Sequence, residues 1–157
     1  MAIRIAQYKG KGIGSKAIKL LTWGQYSHTA IMLEDDLIVE AWEGSNSVRI
    51  INSISDGHKP GTPVDIYYID VSAKQEGLIR EFVLAQVGKE YDYWGIHGFL
   101  WRKQRQCDES WFCSELFGAS CEHASVRLFN NVPPWRMSPS MASRSPVALR
   151  IESTVTT

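Results

Sequence analysis

Hydrophobic and polar positions alternate through much of the first half of the chain, then take a helical period. Residues 2–8 (Ala-Ile-Arg-Ile-Ala-Gln-Tyr) alternate as a strand does. Lys9 to Gly14 carries three glycines and reads as a loop, after which Ser15 can cap a short helix, Lys16 to Trp23, closed by Gly24. Residues 27–33 and 37–41 read as two strands with only Glu34-Asp35-Asp36 between them, which makes a hairpin. Further strands are expected at 48–51 and 64–70, separated by a loop from Asp56 to Pro63 that holds two prolines and two glycines. Ser72-x-x-Gln75 resembles a capping box and opens a helix whose stripe is Leu78, Ile79, Phe82, Val83 and Gln86-Val87, ended by Gly88. Tyr91 is expected to start another helical turn or two, through about Leu100, followed by a basic loop, 102–105.

The stretch Ser110-Trp111-Phe112-Cys113-Ser114-Glu115-Leu116-Phe117 predicts a helix with a cysteine near its start. Its stripe runs Cys113, Leu116, Phe117, Ser120 and Cys121, and Asp108 and Ser110 are candidate N-caps. Beyond 123 the pattern weakens. Pro133-Pro134-Trp135 reads as extended, and Ser138 can cap a short helix through Ser143 with Pro139 at its first position. Residues 147–151 suit a last strand, and the tail from about 152 is expected to fray. The elements describe one α+β domain over 1–157.

The hairpin yields a geometric expectation. If its turn holds an odd number of residues, Leu33 faces Leu37, Ala30 faces Glu40 and His28 faces Trp42. His28 and Glu40 are then diagonal neighbours on one face, roughly 7–8 Å apart at the backbone and within side-chain reach. Asp36 tolerates the left-handed conformation that a three-residue turn needs.

Composition narrows the function. The chain has 17 basic and 17 acidic residues and no net charge, so nothing general points to nucleic acid or an anionic membrane. Residues 1–33 do carry five Lys and Arg and no Asp or Glu. No charged-then-apolar leader opens the chain, and no apolar run approaches about 18 residues. The expectation is a soluble protein without a transmembrane segment, cytoplasmic or phage/virion-associated. Three cysteines, 107, 113 and 121, match no zinc or disulfide framework; no metal and no cofactor are expected, and a reducing compartment would keep a thiol free. Gly12-Ile13-Gly14-Ser15-Lys16-Ala17 fits a dinucleotide fingerprint in spacing, but a hairpin follows it where that fold needs a helical crossover.

A thiol within a turn of a helix N-terminus is expected to have its pKa lowered toward neutrality. Combined with an imidazole and a carboxylate on a nearby hairpin, it supplies the parts of nucleophilic attack on a carbonyl, in the order His28, Glu40, Cys113. The segments Tyr26-Ser27-His28-Thr29-Ala30-Ile31, Ile38-Val39-Glu40-Ala41, Tyr91-Asp92-Tyr93 and Phe112-Cys113-Ser114-Glu115-Leu116 resemble the YiiX-type permuted papain-fold amidases, a branch of the NlpC-like superfamily. The glycine-rich lead into Ala17-Ile18-Lys19 is similar too.

The resemblance implies a circularly permuted papain-like fold, an antiparallel sheet against helices. It makes Cys113 the nucleophile, His28 its base and Glu40 the third member, acting on an amide bond in a peptide or peptide conjugate. Glu115 matches the motif and reads as structural. The Cys113 N–H is the natural first oxyanion donor, Tyr26 is a guess for the second, and Trp42 and Trp111 are candidates to line a cleft. His58, His97 and His123 have no partner pattern. Two other classes stay open: an acyltransferase or lipid esterase of related permuted layout, and a binding or structural module that keeps the fold without turnover.

Overall fold

The computed structural model describes residues 1–92 and 110–157. Among these residues eight strands form one mixed sheet in the order β7-β6-β4-β3-β2-β1-β5-β8. They are β1 (Ala2–Tyr8), β2 (His28–Met32), β3 (Ile38–Trp42), β4 (Ser47–Ile51), β5 (Pro63–Asp70), β6 (Glu90–Tyr91), β7 (Ser110–Trp111) and β8 (Ala148–Val155). Every pairing is antiparallel except β6 with β7. The helices among the described residues are α1 (Ile13–Leu21), α2 (Ala73–Ala85), α3 (Cys113–His123) and α4 (Pro139–Arg144).

The hairpin turns as its sequence suggests. Ile31 pairs with Val39 and Met32 with Ile38, and Leu33 N–H donates to the Leu37 carbonyl at 2.9 Å. This is the odd-turn register, and Asp36 takes the left-handed conformation that closes it, at φ 61°. With the register set, alternation assigns each side chain a face. Ile5, Thr29, Ile31, Val39 and Ala41 point one way, and α3 packs against β2 and β3 there, with α2 behind it. Ala6, Tyr8, His28, Glu40 and Arg49 point the other way, toward a smaller apolar cluster that includes Ala30, Ile38, Val64 and Ile66.

Local chemistry explains most boundaries. At α2 the Ser72 hydroxyl accepts from Gln75 N–H (3.2 Å) and the Gln75 side chain accepts from Ser72 N–H (3.0 Å), the reciprocal cap its sequence announces. Ser138 caps α4, with Pro139 opening it. Helix α1 begins earlier than expected, because extended Gly12 serves as its N-cap and Ser15 lies inside. It ends with Trp23, not Gly24, in the left-handed conformation (φ 50°).

Other expectations are corrected. The N-cap of α3 is Phe112, because Ser110 and Trp111 are drawn into extended pairing with Glu90 and Tyr91. For the same reason Tyr91 ends a strand instead of starting a helix. The helical turns expected after it, the basic loop, His97, Cys107 and Asp108 lie outside the described residues. Pro134–Arg136 forms a 3-10 turn where extended chain was expected. The tail does not fray: β8 runs to Val155, and Thr156 and the 59–62 segment tie each other down, with Thr156 N–H on the Thr62 carbonyl (3.0 Å) and Gly61 N–H on the Thr156 carbonyl (2.8 Å).

Candidate functional site

Glu40 is the centre of the polar cluster. It is about 1% exposed, and both of its oxygens are taken. Oε1 accepts from Arg49 Nη2 (2.6 Å) and Nε (2.9 Å); Oε2 accepts from His28 Nε2 (2.7 Å) and lies 3.2 Å from His58 Nε2. Arg49 is the direct cross-strand partner of Glu40, so the sheet register itself delivers that charge. The diagonal approach of His28 and Glu40 inferred from the hairpin is therefore present, closed to a hydrogen bond.

His58 arrives from the loop between β4 and β5, and that loop is built to hold it. Asp56 Oδ2 accepts from Asn52 and Ser53 N–H, both at 3.0 Å, and Arg49 Nη2 also donates to the Asp56 carbonyl at 2.9 Å. Gly57 follows at φ +77°, where a side chain would be strained and its Cβ would come within 2.8 Å of Arg49 Nη2. One arginine thus ties Glu40 to the loop that presents His58. The His58 ring stacks on Tyr8 (centroids 4.0 Å, 13° between planes) and leans on Trp42 (4.4 Å). The sequence reading treats His58 as ordinary; nothing in a Pro/Gly-rich loop marks it, and only the cross-strand position of Arg49 could have drawn attention to the loop.

The electrostatics follow from burial and these partners. Burial works against the Glu40 carboxylate, and the His28 and His58 rings outweigh it, holding its pKa well below the usual carboxylate range. For His28 burial wins: its pKa is lowered despite Glu40, so the ring is neutral near pH 7. An ionised carboxylate only accepts hydrogen bonds, so the proton of the neutral ring sits on Nε2 and the lone pair on Nδ1.

Cys113 is the first residue of α3 and packs on the opposite face of the sheet from His28. The β2–β3 ladder extends from Met32↔Ile38 through Ile31↔Val39 and no further. Two residues further, where the register would bring Thr29 to Ala41, no pairing continues, and the backbone N–H of Thr29 lies near enough to the Cys113 sulfur to favour its thiolate, as do those of Ser114 and Cys113. The expected lowering of the thiol pKa is overturned. At 2% exposure, burial pushes the thiol up to about 12 despite those donors. Among the described residues no hydrogen bond joins the sulfur to the His28 ring; the strand backbone at Thr29 stands between them.

The remaining candidates separate clearly. Trp42 belongs to the cluster, 5.1 Å from the His28 ring and under the Arg49 guanidinium. Tyr26 is fully buried with its hydroxyl committed to Asp65 (2.5 Å) and Tyr67 (2.9 Å), which removes it as an oxyanion donor. Trp111 is a core residue whose indole N–H donates to Gln86 at 3.1 Å and whose ring meets Phe82. Glu115 Oε2 reaches back to the Phe112 N–H at 3.5 Å, in keeping with its structural reading. Gln7 went unnoticed in the sequence. It is the cross-strand partner of Thr29, its Oε1 accepts from the Thr29 hydroxyl (3.1 Å), and its buried Nε2 has no hydrogen-bond partner among the described residues.

One group of donor atoms has the composition of a metal centre. One ring nitrogen each from His28 and His58 and a Glu40 oxygen lie within 4.8 Å of one another, two imidazoles and one carboxylate. They fit a divalent cation in type and number, with Arg49 occupying only the other Glu40 oxygen.

No family model and no curated protein matches the chain. Among solved structures it is similar to the crystal structure of the metalloprotein yiiX from Escherichia coli O157:H7, DUF1105, with a TM-score of 0.72, 17% identity and 96% of each chain covered. The fold is thus YiiX-like. No described helix is long and apolar enough to cross a membrane.

Proposed function

We propose that the protein is a cysteine-dependent hydrolase that cleaves an amide bond in a peptide or peptide conjugate, within the permuted papain-like class. The observation that carries this reading is the opening of the β2–β3 ladder, which leaves the sulfur at a helix N-terminus near Thr29, the residue that follows the neutral, carboxylate-oriented His28 imidazole. His28 Nδ1 carries the free lone pair. When the opening lets ring and sulfur meet, Nδ1 takes the thiol proton and the thiolate attacks the carbonyl carbon. The resulting imidazolium, stabilised by Glu40, returns the proton to the leaving amine as the C–N bond breaks. Water then hydrolyses the thioester. The Cys113 N–H is the first oxyanion donor, and we assign Gln7 Nε2 as the second in place of Tyr26, because it is a buried donor without a hydrogen-bond partner among the described residues.

A screen of peptide against ester substrates tests the reading. Turnover of peptides, abolished in Cys113→Ala and in His28→Ala, supports it. Preference for esters or lipids would move the protein to the acyltransferase class, and turnover that survives both substitutions would sink the mechanism.

The His28–Glu40–His58 donor set supports a second reading, a divalent-cation site, in keeping with the description of the YiiX structure as a metalloprotein. Uptake of one equivalent of zinc, measured against a chromophoric chelator, is its test.

A further inference from the structure

The two readings share His28, and they use the same ring in incompatible ways. The His28 atom that meets Glu40 Oε2, the oxygen His58 also approaches, is Nε2. As a base toward Cys113, the neutral ring must keep its proton on Nε2, donated to Glu40 at 2.7 Å, and leave Nδ1 bare. As a cation ligand through Nε2, the neutral ring must carry that proton on Nδ1. A ring protonated at Nδ1 cannot accept from a thiol.

The geometry points to a divalent cation as an off-switch: an ion held by His28, Glu40 and His58 silences Cys113 by fixing the wrong tautomer of its base. This inference rests on the thiol reading above. No proton is lost from the ring; it moves from Nε2 to Nδ1 by way of solvent while the ion sheds water. Glu40 is already a carboxylate and supplies Oε2, the oxygen that both rings approach, while Arg49 stays on Oε1. His58 makes the switch. Two donors from neighbouring strands hold an ion weakly, and the third comes from a loop pinned by Asp56, Gly57 and Arg49 so that its Nε2 meets the pair. Its ring also rests against both Tyr8 and Trp42, so little ordering remains when the ion arrives. This offers a reason, besides filling space, for a second imidazole aimed at a carboxylate that His28 and Arg49 already engage.

The test uses the full chain stripped of metal with a chelator. Zinc uptake is read by competition with a chromophoric chelator, and iodoacetamide alkylation of Cys113 is followed by peptide mass mapping. Wild type should bind one zinc, and saturation should slow Cys113 alkylation at least tenfold. In His58→Phe, which keeps an aromatic ring against Tyr8 but has no ligand atom, zinc affinity should fall at least thirtyfold. At the zinc concentration that saturates wild type, its alkylation rates with and without metal should agree within twofold. Cys113→Ser should retain wild-type zinc affinity, showing that the thiol is not the ligand. A melting curve checks that each variant is folded; if His58→Phe is not, His58→Asn replaces it with the same expectations. The inference is overturned if zinc is not bound, if the folded His58 variant keeps wild-type affinity, or if saturated wild type alkylates at the metal-free rate. Failure of the thiol reading looks different: zinc binds through His58, but metal-free wild type and His28→Ala alkylate at equal rates.

Discussion

The two faces of the sheet bury their residues for opposite reasons. On the helix face, Cys113, Leu116 and Phe117 pack with Ile31, Val39 and Ala41, and the gain is apolar area removed from water. On the other, between Tyr8 and Trp42, lie a carboxylate, a guanidinium and two imidazoles, where desolvation costs several kcal/mol per ion unless every lone pair is met. Glu40 meets that condition with Arg49 on one oxygen and both imidazoles on the other. The helix face could be repacked with other apolar groups and still fold. The polar face is arranged at a cost to stability, and such an arrangement in a small domain points to chemistry. Between the faces lies the place where the β2–β3 ladder opens, with the Thr29 backbone near the sulfur and His28 as the residue before it.

Substitutions can break this contrast in order of size. Phe117→Ala, which removes a fully buried ring from the helix face, should cost about 4 kcal/mol in urea denaturation, with little dependence on pH. Glu40→Gln should cost about 3 kcal/mol, because Arg49 and the two rings lose the buried anion they surround. If Glu40→Gln proved neutral while Phe117→Ala did not, the polar cluster would not be an organised unit.

Asp65 tests whether a buried carboxylate on the helix face obeys the same electrostatics. It accepts from Tyr26 (2.5 Å) and Ser153 (2.6 Å) and pairs with Lys9 (2.8 Å). Burial opposes the charge, the Lys9, Ser153 and Tyr26 hydrogen bonds outweigh it, and its pKa falls to about 2. A carboxyl whose folded pKa lies below the unfolded value of about 3.9 stabilises fully above that value, and the contribution is lost as pH falls toward about 2. Asp65→Asn should therefore cost about 2 kcal/mol at pH 7 and much less at pH 2, read from melting temperatures across that range. The smallest effect belongs to an exposed helix end: Ser72→Ala should cost about 1 kcal/mol by removing the acceptor for Gln75 N–H.

How far the sequence discloses the molecule differs between the same two faces. Strand alternation and a three-residue turn closed by Asp36 fix the register, and with it the approach of His28 to Glu40, because in a hairpin neighbours are local in sequence. The α2 cap is legible for the same reason. What stays hidden is long-range. His58 enters through a loop whose path depends on Arg49, and Gln7 matters only because Thr29 lies opposite it. The Cys113 thiol misleads in a third way. A helix N-terminus argues for a lowered pKa from local sequence alone, while burial, a property of the whole fold, raises it to about 12. The choice of N-cap is decided likewise by a distant partner, since Ser110 is extended only because Glu90 lies beside it.

The account turns on whether the thiol answers to the imidazole across the opened ladder. Its most direct test is the second-order rate of Cys113 alkylation at pH 7.5 in metal-free wild type and His28→Ala, both confirmed folded by melting. A loss of at least a hundredfold in His28→Ala is the predicted result. Equal rates would show that the sulfur and the ring never act together, and the assignment of Cys113 and His28 as a catalytic pair would be wrong.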